Sequence, residues 1–208
     1  MKKTILLILS VVVVSMASAQ NYVDDKDEVK SLINKDNELS PFISLDFKTG
    51  NTVDQLSLLV GAHGGILVNK NVILGVGTYG WVTDPKVTNA SQVDLELNGG
   101  YAGLLLGYKL FPKEIIHLNF PVLIGGGQIR LDDTDFFQSG SNDNSYTLEQ
   151  SGFFIVDPCA QIEMNISHNF RVAVGAGYRF VIGSGVDTVT DEDLSDLYGM
   201  LSIQLGRF

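Results

Sequence analysis

From Pro41 onward the sequence places apolar side chains at every second position, with small or polar residues between them. Alternation with a period of two is the pattern of β-strands, because successive side chains point to opposite faces of a sheet. Most segments reach the roughly nine to eleven residues with which a tilted strand crosses a bilayer. The pattern predicts an all-β fold of eight antiparallel strands. The segments cover about 42–48, 56–68, 72–83, 93–108, 116–130, 152–166, 170–183 and 197–208.

The connections between these segments alternate in length. Short ones follow the even-numbered segments, and long polar ones mostly follow the odd-numbered segments, with the connection around 49–54 as the exception. This order is typical of an eight-stranded antiparallel up-and-down transmembrane β-barrel, which has short periplasmic turns and longer external loops. The short connections lie at 69–71, 111–114 and 167–169, and the long ones at 84–92, 131–151 and 184–196.

The two faces of each segment distinguish a membrane barrel from a soluble one. In the segment at 170–183 one face is apolar, and the other carries small residues together with Arg171 and Arg179. An apolar face of this length suits lipid. A soluble lipocalin-like periplasmic barrel would turn that face inward around a ligand and leave the charged face in water. The alternation of loop lengths favours the membrane barrel, and the lipocalin-like barrel is the alternative.

The N-terminal sequence has the three parts of a secretory signal: a basic start, an apolar run too short to span a bilayer, and a small-residue cleavage pattern. We expect a cleaved signal peptide over 1–19, an acidic periplasmic leader over 20–40 and the barrel over 41–208. Loss of Lys2 and Lys3 with the signal leaves 12 basic residues against 24 acidic ones, a formal charge of −12. Such a charge repels phosphate backbones, so no nucleic acid partner is expected.

Three stretches resemble the small outer-membrane β-barrel proteins that are common in Bacteroidetes. The resemblance implies the architecture of eight-stranded OmpA/OmpX-type barrels and a place in the outer membrane of a Gram-negative bacterium. It implies no activity, because that family has no assigned reaction or ligand. The stretches are LLVGAHGGILVNKNVILGVGTYG at 58–80, NGGYAGLLLGYKLFPKEIIHLNFPVLIGGG at 98–127 and NFRVAVGAGYRFVIG at 169–183.

The last strand ends on an aromatic residue, Phe208. A terminal aromatic on a closing strand is similar to the signal by which outer-membrane barrels are assembled. The barrel-assembly machinery is therefore an expected partner through this strand. Outer-membrane lipid and lipopolysaccharide are the other expected partners, while the external ligand stays unknown.

Charged side chains are also predicted to face the barrel interior. An eight-stranded barrel is just wide enough to be filled by side chains, and charges buried there need partners. A turn centred on residue 168 places Asp157 opposite Arg179, so we predict a salt bridge between them. The charges are interpreted as a plug, with a proton relay or a gated pore as the alternative. The predicted interior charges are Asp46, Glu96, Asp157, Glu163, Arg171 and Arg179.

Two prolines disturb the strand pattern. Pro121 and Pro158 lie inside segments that closure pairs on both edges, where a missing N–H is costly. A β-bulge would accommodate such a residue, and we expect one at each proline.

Residues that could carry catalysis or bind a metal are few. His117 and His168 fall near the periplasmic ends of strands, and no serine motif accompanies His63. The glycine runs lack the lysine and serine of a phosphate loop, and the acidic residues of the long loops lack the spacing of a calcium loop. We therefore expect no catalytic residue, no cofactor and no metal.

The resulting functional hypothesis is a non-enzymatic outer-membrane barrel. Its role would be structural within the envelope, or surface binding through the external loops. A conduit for small apolar molecules across the outer membrane is the alternative.

Overall fold

A computed structural model of the chain describes residues 38–83, 85–88, 94–133, 147–185 and 189–208. The predicted signal peptide and all but the last residues of the predicted leader lie outside these ranges. One short helix, Asp191–Leu194, is described. The described part of the chain contains no helix with the length and apolar character needed to cross a bilayer. The described strands are β1 (Leu39–Thr52), β2 (Gln55–Val68), β3 (Val72–Trp81), β4 (Lys86–Thr88), β5 (Asp94–Leu110), β6 (Ile116–Asp133), β7 (Thr147–Ser167), β8 (Phe170–Ile182) and β9 (Asp196–Gly206).

The strands form one antiparallel sheet that closes on itself. They pair in the order β3-β2-β1-β9-β8-β7-β6-β5, and β3 pairs with β5 to complete the cylinder. The first and last strands meet with Phe42 opposite Gly206. The short β4 pairs with β5 beyond the end of β3, so eight strands make up the barrel. The predicted eight-stranded antiparallel up-and-down barrel is confirmed, whereas β4 was not predicted.

The two ends of the barrel differ in their connections. At one end, here called the turn end, lie the tight connections at 69–71, 111–115 and 168–169. At the other, here called the loop end, lie the connections after β3, β6 and β8, together with the β1–β2 turn. That turn consists of Val53 and Asp54, which both have positive φ (54° and 57°). Positive φ at both central residues is the geometry of the two-residue hairpin turns that match strand twist. The exception noted in the sequence is therefore a tight hairpin at the loop end.

The outward face of the strands is apolar, and the lumen holds the charged side chains together with apolar ones such as Leu59 and Leu123. On β8 the outward positions from Val174 to Ile182 are exposed, whereas Arg171, Ala173 and Arg179 are buried. The same alternation holds on β7 and β9. A soluble ligand-binding barrel has the opposite arrangement, with an apolar lumen and a polar surface. The lipocalin-like alternative is therefore wrong.

The outward apolar surface forms a band of limited height. On β6 it runs from Ile116 to Gly126, and the outward positions that follow, Gln128 and Arg130, are polar. About ten residues at about 3.4 Å each, tilted by about 40°, give a height of about 25 Å. This is the height of the apolar band on barrels that span a bilayer. β5, β6 and β7 continue beyond it at the loop end.

Neither proline carries the predicted bulge. The pairing of β6 with β7 is interrupted beside Pro121, that of β7 with β8 is interrupted beside Pro158, and each resumes in unchanged register. Each proline still pairs with its other neighbouring strand, Pro121 opposite Gly107 and Pro158 opposite Val122. A residue in an antiparallel strand directs its N–H to one neighbour only, so each proline loses one ladder hydrogen bond and needs no extra residue. The bulge prediction is wrong for this reason.

An arginine on the outward face of β6 should destabilise the barrel according to its depth. Ile124 lies within the apolar band, and Gln128 lies on the same face at its polar edge. We expect Ile124→Arg to lower the free energy of unfolding in lipid vesicles by about 2–4 kcal/mol, and Gln128→Arg by about 0–1 kcal/mol. Urea titration followed by tryptophan fluorescence measures both. Equal effects of the two substitutions would contradict a lipid-facing band.

Candidate functional site

Asp157, on β7, is the centre of a buried ion pair inside the lumen. Its Oδ2 lies 2.5 Å from Lys48 Nζ and accepts a hydrogen bond from the Tyr101 hydroxyl at 3.0 Å. The Tyr198 hydroxyl donates to Oδ1 at 2.5 Å. The Lys48 ammonium also lies 3.6 Å from the centre of the Tyr79 ring, which is a cation–π geometry. Both charges of this Asp157 cluster are thus satisfied by protein groups.

A second carboxylate, Asp46 on β1, binds four donors. Oδ2 accepts from the Tyr79 hydroxyl at 2.8 Å and lies 2.5 Å from His63 Nδ1. Oδ1 accepts from the hydroxyls of Ser202 at 2.6 Å and Ser44 at 2.8 Å. Because the ring of Tyr79 faces the ammonium of the Asp157 cluster, this side chain joins the two carboxylates into one network.

The third carboxylate, Glu163 on β7, lies closer to the turn end. Its Oε2 accepts from Lys109 Nζ and lies 2.8 Å from His117 Nε2. Its Oε1 accepts from Asn119 Nδ2 and from Gln204 Nε2, both at 2.8 Å. The donors of this Glu163 cluster come from β5, β6 and β9. A single carboxylate therefore links four strands across the lumen.

The predicted salt bridge between Asp157 and Arg179 is wrong. The strand register is the one that the tight turn predicted, since the flanking pairs of β7 and β8 keep the same spacing. The Arg179 side chain, however, points to the loop end. Its Nε donates to Leu194 O at 2.6 Å, and its Nη2 donates to Thr52 Oγ1 at 3.1 Å and to Asn51 O at 3.3 Å. Asp157 is neutralised instead by a lysine from the opposite wall.

Glu96 does not lie in the lumen. On β5 the odd-numbered residues, such as Leu95 and Leu97, are buried, so Glu96 faces outward and is half-buried. It lies beyond the apolar band, opposite Lys86 of β4. A carboxylate can remain hydrated at this height, and the prediction of an inward Glu96 is wrong. The buried predicted charges are Asp46, Asp157, Glu163, Arg171 and Arg179.

Two buried lysines were missed by the sequence analysis. Lys48 lies on the same face as Asp46, and Lys109 lies on the same face as the inward leucines of β5. Both stand at or just beyond the ends of the predicted segments, 42–48 and 93–108. Lys48 shares the parity of Asp46, so the alternation within the predicted segment would have identified it. Lys109 could be identified only with the correct phase of β5, in which odd-numbered residues face inward.

The geometry of the clusters is unsuited to hydrolysis. In a catalytic triad the serine hydroxyl contacts the histidine, and the carboxylate contacts the other ring nitrogen. Here Ser44, Ser202 and His63 all contact the carboxylate of Asp46. The cavity beside the Asp157 cluster has a volume of about 10 Å³, which holds about one water molecule and no substrate.

Metal binding likewise has no support in the part of the chain that is described. Within those ranges no three His, Cys, Asp or Glu side chains are grouped so that they could hold a metal ion. Two acidic side chains of the connection between β8 and β9 accept hydrogen bonds from its own backbone. Asp191 accepts from Gly183 N at 3.0 Å and from Ser184 N at 2.8 Å, and Asp193 forms a capping box with Thr190.

The loop end is closed by apolar side chains. Residues of β4 to β8 and of the connection between β8 and β9 meet there in a buried core. The exposed edge of β4 is covered by Gln55, whose side chain donates to Lys86 O at 2.6 Å and accepts from Lys86 N at 3.1 Å. The buried apolar residues at this end include Val87, Leu95, Leu97, Ile129, Leu131, Ile155, Val181, Val189 and Leu194.

No protein-family model matches the chain, and no curated protein matches it. The crystal structure of Neisserial surface protein A (NspA) is similar at a TM-score of 0.53 and 12% sequence identity, over 81% of this chain and 96% of that one. Ail, the attachment invasion locus protein of Yersinia pestis, is similar at a TM-score of 0.43 and 13% identity in its complex with the heparin analogue sucrose octasulfate, over 83% and 99% of the two chains. Without that analogue the TM-score is 0.42 and the identity 12%, over 82% and 98%.

The similarity to NspA supports the small outer-membrane-barrel architecture that the sequence predicted. At 12% identity it shows the fold alone. The predicted Bacteroidetes origin stays a prediction.

Double-mutant cycles should separate the Asp157 cluster from the Glu163 cluster. We expect Asp157→Asn to destabilise the barrel by about 3–5 kcal/mol, because it leaves the Lys48 ammonium buried without a counter-charge. Combining Asp157→Asn with Lys48→Met should show a coupling of about 0.5–3 kcal/mol. The matched combination with Lys109→Met should be additive within about 0.5 kcal/mol. Unfolding by urea in lipid vesicles measures these values, and equal coupling to both lysines would contradict the assigned pairs.

Proposed function

We propose that the chain is an integral outer-membrane β-barrel of a Gram-negative bacterium, that it has no enzymatic activity, and that it serves as a structural component of the envelope or as a surface-binding protein. The observation that carries the proposal is the combination of an outward apolar band of about 25 Å with a lumen that is filled by side chains and buries ion pairs. The outward face of such a barrel contacts lipid, and its two ends are available for contacts with other molecules.

The orientation follows from the unequal connections. Barrels of this class place short turns in the periplasm and longer loops outside the cell, so the loop end is assigned to the cell surface. At this end Lys86 and Arg130 project outward just beyond the apolar band. Cationic side chains at that height suit the phosphate groups of lipopolysaccharide. On the opposite side, the strand that ends with Phe208 is the proposed contact with the barrel-assembly machinery.

A surface-binding role is favoured by the way the loop end is built. Its connections contribute to a shared apolar core, with Val189 and Leu194 fully buried. The connection between β8 and β9 also contacts the β1–β2 turn, since Val53 N donates to Asp193 O at 2.9 Å. Segments that are ordered before binding lose little entropy on binding, and these contacts order the described part of the connection between β8 and β9. NspA is, by its name, a surface protein.

A conduit for small apolar molecules is less compatible with the lumen. A molecule entering through the wall between β6 and β7, where pairing is interrupted beside Pro121, meets the charged Asp157 cluster directly. Passage along the axis is opposed by the side chains that bridge opposite walls. An apolar solute gains nothing from contact with desolvated charges that already have partners.

Impermeant labelling of single cysteines should locate the two ends. The buried Cys159 is first replaced by Ala, and Glu192→Cys or Lys113→Cys is added at the loop end or the turn end, where both parent side chains are exposed. In intact cells a membrane-impermeant maleimide should label Glu192→Cys, and it should label Lys113→Cys only after the outer membrane is permeabilised. The reverse pattern would contradict the orientation. If both cysteines were labelled equally, and only after the cells were lysed, the result would contradict a location in the outer membrane.

Reconstituted protein should be closed to solutes. We expect liposomes that contain the purified mature chain to swell no faster in small sugars than empty liposomes, because the lumen holds bridging side chains and little free volume. The matched control replaces Lys109 and Glu163 together with Ala, which removes the pair that crosses the lumen. Swelling by the unmodified protein, at the rate of a general porin, would contradict a structural or binding role.

A further inference from the structure

The turn end contains a buried cation with unsatisfied hydrogen-bond donors. The side chain of Arg171, on β8, is 1% exposed, and its Nε and Nη1 donate to no acceptor within the described residues. The closest carboxylate oxygen, Glu163 Oε2, is 3.8 Å from Nη1, which is too long for a hydrogen bond. That oxygen already binds Lys109 and His117. Unmade hydrogen bonds on a buried charge are costly, so the guanidinium calls for an acceptor that the described residues do not provide.

This arginine lines a cavity that opens at the turn end. The cavity has a volume of about 580 Å³ and is also lined by Lys70, Lys113, His168 and Phe208. The guanidinium carbon of Arg171 lies 3.8 Å from the centre of the Phe208 ring. This stacking fixes the plane of the guanidinium, and a fixed planar fork suits two oxygens of one anion.

The cationic groups around the cavity come from three different connections. Lys113 belongs to the turn between β5 and β6 and is exposed, while Lys70, in the turn between β2 and β3, lies 3.2 Å from Glu38 Oε1. Lys113 is therefore the second cation for an incoming anion, with His168 beside it. A further polar atom, the buried Oδ1 of Asn165, has no hydrogen-bond donor within the described residues. It suits a hydroxyl on the ligand.

One wall of the cavity is apolar and continues into the lipid-facing surface. Ile115 is 71% exposed and Ile166 is 53% exposed, and both line the cavity. Ile166 lies at the turn-end edge of the outward face of β7. A cationic surface beside an apolar surface suits an amphiphilic ligand with an anionic headgroup. The volume lies in the range of small-molecule sites and exceeds the size of a bare phosphate.

We propose that the turn end of the barrel is a phosphate-binding site, in which Arg171 and Lys113 hold the phosphate group and Asn165 accepts from a neighbouring hydroxyl. The ligand chemistry is a glycerol-linked phosphate. It is supplied either as the headgroup of an anionic phospholipid in the adjoining leaflet or as a soluble phosphate ester. Only the lipid source rests on the proposed function. Binding of the soluble ester in detergent is independent of where the protein resides.

The test uses the full mature chain in a maltoside detergent, which has no phosphate. The Nε–Hε signal of Arg171 is followed by NMR, and affinities are taken from calorimetry at constant ionic strength. The probes are glycerol 3-phosphate, short-chain phosphatidylglycerol and, as a control, sodium chloride. We expect saturable binding of both phosphate compounds with a shift of the Arg171 signal, and no shift with chloride. Absence of a saturable response to either phosphate compound would overturn the proposal.

Single substitutions test which residues form the proposed phosphate site. Lys113→Gln, in an exposed turn, should weaken binding about five- to tenfold, as expected for an ion contact worth about 1 kcal/mol. Glu192→Gln, at an exposed position of the loop end, should leave the affinity unchanged. Arg171→Gln should abolish binding while the folded barrel keeps its heat-modified gel mobility. If Arg171→Gln fails to fold, Lys113→Gln decides the question, and unchanged affinity in that variant would overturn the site.

The source is decided by comparing the two phosphate probes. Phosphatidylglycerol that binds tenfold or more tightly than glycerol 3-phosphate supports the lipid source through the wall at Ile115 and Ile166. Equal affinities support the soluble ester. The labelling experiment on cells and these titrations test separate proposals. If the labelling contradicts the outer membrane while the titrations show saturable binding, the outer-membrane placement is wrong and the phosphate site stands.

Discussion

The narrow lumen is the constraint on which the rest of this structure depends. Closing eight strands leaves room for side chains and very little else, so every charge that points inward must find its partner within the same space. Asp46, Asp157 and Glu163 meet that requirement with donors from several strands. Their contacts run across the lumen as well as along the sheet. The ion pairs therefore brace opposite walls and hold the barrel closed from within.

Because side chains fill the lumen, the proposed contacts with other molecules lie at the two ends of the barrel. The two ends differ in structure. The loop end is sealed by an apolar core and by backbone contacts such as those between Gln55 and Lys86. The turn end opens into a cavity lined by cationic groups, including Arg171 and Lys113. The described segments of the loop end form an apolar core, whereas the turn end carries a charged cavity. The two proposed recognition surfaces therefore lie at opposite ends of the same wall.

Sequence periodicity predicted the barrel because a long apolar face cannot be hidden any other way in these strands. The prediction failed where the alternation of side chains does not by itself show which residues face the lumen. In β5 the run from Leu104 to Leu106 is apolar on both faces, so the phase of the strand, and with it the direction of Glu96, is ambiguous. Register placed Asp157 opposite Arg179 but could not show which way a long side chain would turn inside a narrow lumen. Contacts across the barrel depend on shear and tilt, which no single hairpin specifies.

The balance of buried charge explains why the two ends differ. Among buried residues of the described strands, the carboxylates are Asp46, Asp157 and Glu163, and the cations with permanent charge are Lys48, Lys109, Arg171 and Arg179. In this set the lysine and arginine side chains outnumber the carboxylates by one. Lys48 and Lys109 are neutralised at hydrogen-bond distance, and Arg179 is satisfied by carbonyl and hydroxyl oxygens. Among the described residues, the unmade hydrogen bonds of these cations lie at Arg171, where the lumen opens and an anion can supply the acceptors.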